Sequence, residues 1–421
     1  MSRWVLRLLG GAAAAAVFLC VLLSSRDAMA FPWLIREGYN TCNTCHADPS
    51  GAGILTQYGR GMEEVVVRTP YKGKIDDPGT LGNFAFGVKL PEQLLLQTDY
   101  RSLIYINGTS SSGYATPRYI LMQADQAAQL KVGRFRLNGS IGYNRDSGAL
   151  AASVTNQPAD WGAIIARQYW MGFDIGKDEE FLLRIGRMNK PFGIRNVEHT
   201  LWARVATRSD INADQEHGVT LAYTGEHFRG EAMAIAGNYQ IHGTTNWDGP
   251  HERGYSAYLE WLAGEKAGLG VSSQITHADE ARTDLVGKEL NPAIQPGPVW
   301  RQSHGLFARV APVTALVFLA EADFLLNSQL DTSNVAHNHF GAVGYVQADL
   351  QVFQGIHIVG TGEYYNPSFD QVSTSVGGWL GVWWFFAPHF DFRFDWVQQS
   401  VGGAAARTDV TSFLFQLHGY L

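Results

Sequence analysis

Phe390-Asp391-Phe392-Arg393-Phe394-Asp395-Trp396-Val397-Gln398-Gln399 alternates with a period of two. In an extended strand Phe390, Phe392, Phe394 and Trp396 fall on one face, and Asp391, Arg393, Asp395 and Gln399 on the other. The same alternation sets Phe135, Leu137, Ile141 and Tyr143 against Arg134, Arg136, Asn138 and Ser140. It recurs where Leu316, Phe318, Ala320, Ala322, Phe324 and Leu326 interleave with Glu321 and Asp323, and where Ile356, Ile358 and Tyr364 interleave with His357, Thr361 and Glu363. One face is oily and aromatic and the other polar. After the N-terminal leader no apolar run reaches the eighteen residues that a spanning helix needs.

A soluble β-sandwich also alternates, so the connections have to discriminate. Candidate strands run from Leu94 to Asn107 at one end to Val410 to Leu421 at the other, about sixteen in all. The gaps between them alternate between a few residues and roughly nine to thirty. Gly133, Lys177 to Glu180, Gly225 to Phe228, Gly264 to Lys266 and Pro388 occupy short gaps, whereas Lys190 to Glu216 and Ala278 to Val299 occupy long ones. Short turns on one side and long loops on the other mark a barrel that spans an outer membrane, with both chain ends on the short-turn, periplasmic side. The expected fold class is therefore all-β, a transmembrane antiparallel β-barrel of about 16 strands over residues 84–421, in contact with lipid of the bacterial outer membrane. A mean hydropathy of −0.11, with 46 Gly, 17 Tyr and 12 Trp, fits strands that show half their residues to lipid and half to a polar lumen. A barrel of this size is wide enough for an aqueous channel.

Residues 1–30 read as a signal peptide: Arg3 and Arg7 precede the apolar run from Leu8 to Leu23, and Ala28-Met29-Ala30 supplies a small-x-small cleavage site. Cys20 leaves with the leader, and the net charge of −7 becomes −9 once Arg3, Arg7, Arg26 and Asp27 are removed, which argues against a nucleic-acid partner. The two remaining cysteines lie in Cys42-Asn43-Thr44-Cys45-His46, a C-x-x-C-H pentapeptide. That spacing is the attachment signature of one covalently bound haem c, with thioethers from Cys42 and Cys45 and iron ligation by His46; the competing readings are a disulfide or half a zinc site. Residues 31–83 are few for a free-standing domain, so they are expected to borrow packing from the barrel as a lumenal plug or a periplasmic cap. Pro49, Gly51 and Gly53 mark a tight turn, and Leu55 to Val67 one short helix. Met62 is the nearest candidate for a second axial ligand, against the bland alternative of a Met packed on the haem edge; His227, His389 or an open site are the others.

Phe31-Pro32, the single Cys42-Asn43-Thr44-Cys45-His46 and Tyr58-Gly59-Arg60, ahead of a porin-sized β-domain, resemble the fused outer-membrane monohaem cytochrome–porins of the iron-oxidising type. The resemblance implies an electron conduit between an extracellular donor, Fe(II), and a soluble periplasmic cytochrome, with Cys42, Cys45 and His46 holding the haem. Pro49 to Gln57 departs from that family's pattern, which puts the donor in doubt more than the architecture. Separately, Arg187-Met188-Asn189-Lys190-Pro191-Phe192-Gly193 is similar to the strand-to-loop passage of phosphate-selective-type porins. With Arg184, Arg195, Arg204 and Arg208 nearby, the long loop either folds inward to a constriction or stays outside against anionic lipopolysaccharide. Inward carboxylates such as Asp99, Asp125, Glu231, Glu260, Glu321, Asp323, Glu363, Asp391 and Asp395 either draw cations or are ordinary lumenal polarity offset by arginines. The rival functions are a solute (anion) porin with a structural or sensory haem plug, and a haem enzyme with an open iron site.

Overall fold

The period-two segments form sixteen long antiparallel strands in the computed structural model, which describes residues 31–49, 51–70, 84–85, 87–109, 113–143, 164–198, 200–211, 214–238, 252–281, 297–330, 336–370, 373–402 and 407–421. The leader 1–30 and the boundary segment 71–83 lie outside the described residues. The strands are β1 Leu94–Thr109, β2 Arg118–Val132, β3 Phe135–Tyr143, β4 Tyr169–Ile175, β5 Phe181–Asn189, β6 Gln215–Thr224, β7 Phe228–Gly237 and β8 Arg253–Leu262. They continue as β9 Ala267–Ala281, β10 Gly297–Val313, β11 Leu316–Leu330, β12 Ala336–Phe353, β13 Ile356–Asn366, β14 Ser375–Ala387, β15 Phe390–Val401 and β16 Thr408–Tyr420. Each pairs with its neighbour in sequence, and β16 returns to β1 in a register from Asp99 opposite Tyr420 to Thr109 opposite Val410. Closure leaves no sheet edge exposed, which is what permits strands to sit in hydrocarbon.

One expected strand, Ala163 to Gly176, is interrupted. Ile164–Ile165 pairs with Gly142 and Tyr143, residues 166–168 leave the ladder, and pairing resumes at Tyr169 opposite Gly139. Arg167 is buried inside, where its Nε donates to Asp125 Oδ2 at 2.7 Å. A local alternation cannot show such an ion pair across the sheet.

The outside is apolar, as the alternation requires: on β15, Phe392 and Trp396 are 36% and 46% exposed, against 0% and 3% for Asp391 and Arg393. The inside departs from the expected polar, water-filled lumen. Tyr258, Phe307, Val317, Leu319, Val343 and Trp379 point inward and form one apolar core with Trp33, Leu34, Ile35, Ile194 and Leu201. Two segments fill that interior, the N-terminal residues 31–69 and the loop after β5. Near the short turns, Thr69 N–H donates to the Phe385 carbonyl at 2.9 Å and Asn40 Nδ2 to the Gly264 carbonyl at 3.3 Å. Burying each of Trp33, Leu34 and Ile35 contributes roughly 2 kcal/mol. A segment this short, with little core of its own, thus completes that core with the barrel wall.

The expected helix from Leu55 to Val67 is shorter. Helix α1 covers Gln57–Met62 and runs into a π-helical turn, Glu63–Val67, that holds the β-branched run Val65-Val66-Val67. Leu55 is instead bridged antiparallel to His46, and its N–H donates to Gln97 Oε1 of β1 at 2.6 Å.

Candidate functional site

The N-terminal segment begins with a 3-10 helix, Pro32–Glu37, opened by Pro at N1 and ended by Gly38, whose N–H donates to the Ile35 carbonyl at 3.0 Å. Arg36 is fully buried and paired with Asp349 of β12, which also binds His357 Nδ1 at 2.8 Å. This ion pair fixes the helix to the wall and delivers the chain to Cys42.

Cys42 to His46 closes as one turn: the N–H groups of Cys45 and His46 both donate to the Cys42 carbonyl, at 3.2 and 2.9 Å. The turn brings the side chains at the first, fourth and fifth positions to neighbouring directions. Both cysteines are buried thiols with no disulfide between them, and among the described residues no group of three or more His, Cys, Asp or Glu could hold a metal ion. Arg229 Nη1 donates to Cys42 Sγ at 2.8 Å, and Glu260 holds both Arg229 and Arg309. Asp48 pairs with Arg184 Nη1 at 3.1 Å, and the opposite side of that guanidinium meets Glu231.

Glycine is required twice here. Gly51 adopts φ +92°, and a Cβ there would lie 3.3 Å from Cys42 Sγ. Gly59 of α1 packs on the turn so closely that a Cβ would lie 2.5 Å from the Cys45 carbonyl oxygen and 2.9 Å from its Cβ. The Tyr58-Gly59-Arg60 signature thus has a steric meaning: α1 lies directly against the backbone of Cys45.

A cavity of about 1130 Å³, counting space open to solvent, adjoins this turn and is lined by Cys45, His46, Leu34, Ile54, Leu55 and Val197, with Arg101, Arg167 and His418 from the wall side. The residues present fit a haem. Leu34, Ile54, Leu55 and Val197 give the cavity an apolar side, facing the polar Gln97, Asp99, Arg101, Asp125 and Arg167. His46 Nδ1 lies 3.3 Å from the Gly53 carbonyl, a contact that directs the Nδ1 proton to the oxygen and leaves Nε2 as the ligating nitrogen. On this cavity the buried Arg101 Nε, which has no hydrogen-bond partner, suits a carboxylate side chain such as a propionate; Arg60, whose Nε and Nη2 are also unpartnered, lines a neighbouring cavity with His46 and Phe84. Burial pushes the Arg60 guanidinium down to about 10, as expected of a cation without a counter-charge.

Met62 is placed elsewhere. It is half-buried against the core formed by Trp33 and its neighbours and does not line this cavity. His227 and His389 sit in short turns, and neither lines it. His418, which alternation puts on the inward phase of the last strand, was not singled out from sequence; opposite Asp391 and Arg101 in register, it enters the cavity.

The loop after β5 folds inward, which overturns the outer-loop alternative. Phe192, Ile194, Leu201 and Ala203 are buried, and helix α2, Trp202–Ala206, packs inside against β11, β12 and β13. Arg204 pairs with Glu321, whose other oxygen accepts the Ile194 N–H at 2.8 Å, and the Trp202 N–H donates to Glu363 at 2.8 Å. The inward carboxylates are largely compensated: besides these, Arg393 binds Asp395 at 2.7 Å, and Arg208 and Arg301 bind Glu252 at 2.9 and 2.8 Å. Burial pushes the Glu252 carboxyl up, but Arg208 and Arg301 outweigh it and hold the group at about 2.

A closed sixteen-strand barrel with an inward-folded loop defines a porin-type architecture. Among solved structures, OmpT of Vibrio cholerae superposes with a TM-score of 0.55 at 10% identity, covering 79% of this chain and 100% of that one. An anion-selective porin from Comamonas acidovorans gives 0.53 at 10% identity over 78% of this chain and 99% of its own. Pseudomonas putida OprB gives 0.51 at 13% identity over 78% and 94%. No family model and no curated protein matches the chain. At these identities the likeness is one of fold.

Proposed function

We propose that this chain is an outer-membrane electron conduit: a porin-type barrel whose residues 31–69 carry one covalent haem c as a lumenal plug, taking electrons from an extracellular donor and passing them to a soluble periplasmic cytochrome. The observation that carries it is the Cys42 to His46 turn held on the wall of a cavity inside the barrel, with His46 Nδ1 turned to the Gly53 carbonyl. Bound there, the haem supplies a one-electron redox centre. Cys42 and Cys45 would anchor it and His46 would ligate its iron, while Leu34, Ile54 and Val197 exclude water and the strands insulate the site from lipid. Arg101 would take a carboxylate of it. Ferrous iron as donor rests on the sequence resemblance alone.

The second reading, a solute porin selecting anions, is favoured by the porin neighbours, one of them titled anion-selective. Against it, Arg184, Arg204 and Arg208 in the lumen are each paired with carboxylates, which removes most of their pull on a passing anion. One preparation separates the two. Membrane-extracted protein should give a haem stain that survives denaturation in the wild type and vanishes in Cys42→Ser/Cys45→Ser, should be reduced by Fe²⁺, and should pass little ionic current in planar bilayers. Large steady anion-selective conductance with a haem that no external donor reduces would leave the porin reading standing and sink the conduit.

A further inference from the structure

Resting on the haem reading above, we infer that His418 is the second axial ligand of the iron, opposed to His46, with Asp391 as the group that positions it. Among the described residues that line the cavity beside Cys45, His46 and His418 supply the two imidazoles. They come from opposite ends of the chain. His418 lies on β16, in register with Asp391 of β15 on one side and Arg101 of β1 on the other, at the seam where the barrel closes.

The ring is prepared for a metal in three ways. Its Nδ1 lies 2.9 Å from Asp391 Oδ2, and Asp391 Oδ1 accepts from Trp383 Nε1 at 2.8 Å, so the carboxylate is itself fixed. Tyr420 stacks on the imidazole at 4.8 Å with 28° between planes, which sets the ring orientation. A carboxylate on Nδ1 holds the proton there and makes Nε2 the basic, ligating nitrogen, the arrangement that backs metal-bound histidines generally. The Nε2 atom faces a second carboxylate, Asp99 Oδ1 at 3.4 Å, whose other oxygen accepts from Gln97 Nε2 at 2.6 Å. An iron bond at Nε2 replaces this contact, the longer of the ring's two. Two imidazole ligands also imply a lower potential than a His/Met pair would give.

The test is spectroscopic, on membrane-extracted holoprotein. Wild-type ferric haem should be low-spin in optical and electron paramagnetic resonance spectra. His418→Ala should become high-spin while keeping one covalent haem per chain and heat-modifiable migration of a folded barrel, and added imidazole should restore the low-spin spectrum. His418→Met, which keeps a ligand, should stay six-coordinate with a raised midpoint potential, and covers the case in which the alanine variant does not fold. An unchanged low-spin spectrum in His418→Ala, or loss of the low-spin form in Met62→Ala instead, overturns this ligand assignment and leaves the haem conduit intact. A wild-type chain without covalent haem sinks both.

Discussion

Replacing Arg204 should loosen the loop that folds into the lumen, and the size of the effect follows from what the guanidinium leaves behind. Arg204 and Glu321 are 1% and 0% exposed at their side chains, so Arg204→Ala strands a buried carboxylate. Breaking one partner out of such a pair costs about 3–5 kcal/mol. Other polar bonds still dock the loop: the Ile194 and Trp202 N–H groups, Gln274 Nε2 to the Thr207 carbonyl at 3.1 Å, Asn196 Nδ2 to Gln347 at 3.3 Å, Ser256 to the Pro191 carbonyl at 2.9 Å, and the ion pairs of Arg208 with Glu252 and of Glu198 with Arg393. With buried Leu201 and Ile194 adding roughly 2 kcal/mol each, they hold the loop in place against the penalty. The loop should therefore stay docked on average but open about 10²–10⁴ times more often. Hydrogen–deuterium exchange of residues 194–209 reads this directly, as a loss of protection of that size, accompanied by noisier and larger single-channel current. Arg204→Met/Glu321→Gln, which removes both charges and keeps the volume, should recover protection to within about tenfold of the wild type, because the stranded charge is gone. If Arg204→Ala leaves protection within about threefold of the wild type, the pair does not hold the loop and the reasoning fails.

Gly59→Val should press on the Cys45 carbonyl, cost about 1–3 kcal/mol locally and lower the haem content per chain; full occupancy with unchanged thermal stability contradicts the close packing. Asp48→Asn leaves Arg184 with Glu231 alone, and at about 1–3 kcal/mol should speed exchange around residues 42–55, whereas no change would show that the pair is not what seats the turn. Glu252, held at about 2 against a usual 4.5, has a depressed folded-state pKa; its contribution is fully present above pH 4.5 and is lost as pH falls toward 2. Heat-modifiability titrated between those limits should show less acid sensitivity in Glu252→Gln than in the wild type, and equal slopes would remove Glu252 as a cause.

Strand positions were legible from sequence because a strand's side-chain direction depends on its own residues alone. Phe390 to Gln399 carries its inside and outside in its own alternation, and short turns such as Gly133 and Pro388 punctuate it. The turn of the C-x-x-C-H pentapeptide was equally local: Cys42, Cys45 and His46 sit within one turn, which the structure closes on the Cys42 carbonyl. What occupies the lumen was not local. Val317, Leu319 and Val343 are apolar on the inward phase because Trp33, Leu34 and Leu201 cover them, and alternation records the phase of a residue without naming its partner. The inward fold of the loop after β5 likewise depends on Glu321, distant in sequence, and the break at 166–168 on Asp125. His418 and His46 are the extreme case. They are 372 positions apart in the chain, and only closure of β16 on β1 puts them on one cavity. Sequence by itself determined the barrel strands and the turn of Cys42 to His46, since these need only neighbours along the chain; the tertiary structure decided the filled lumen and the cavity's second imidazole, since contacts between distant residues exist only once the sheet has closed.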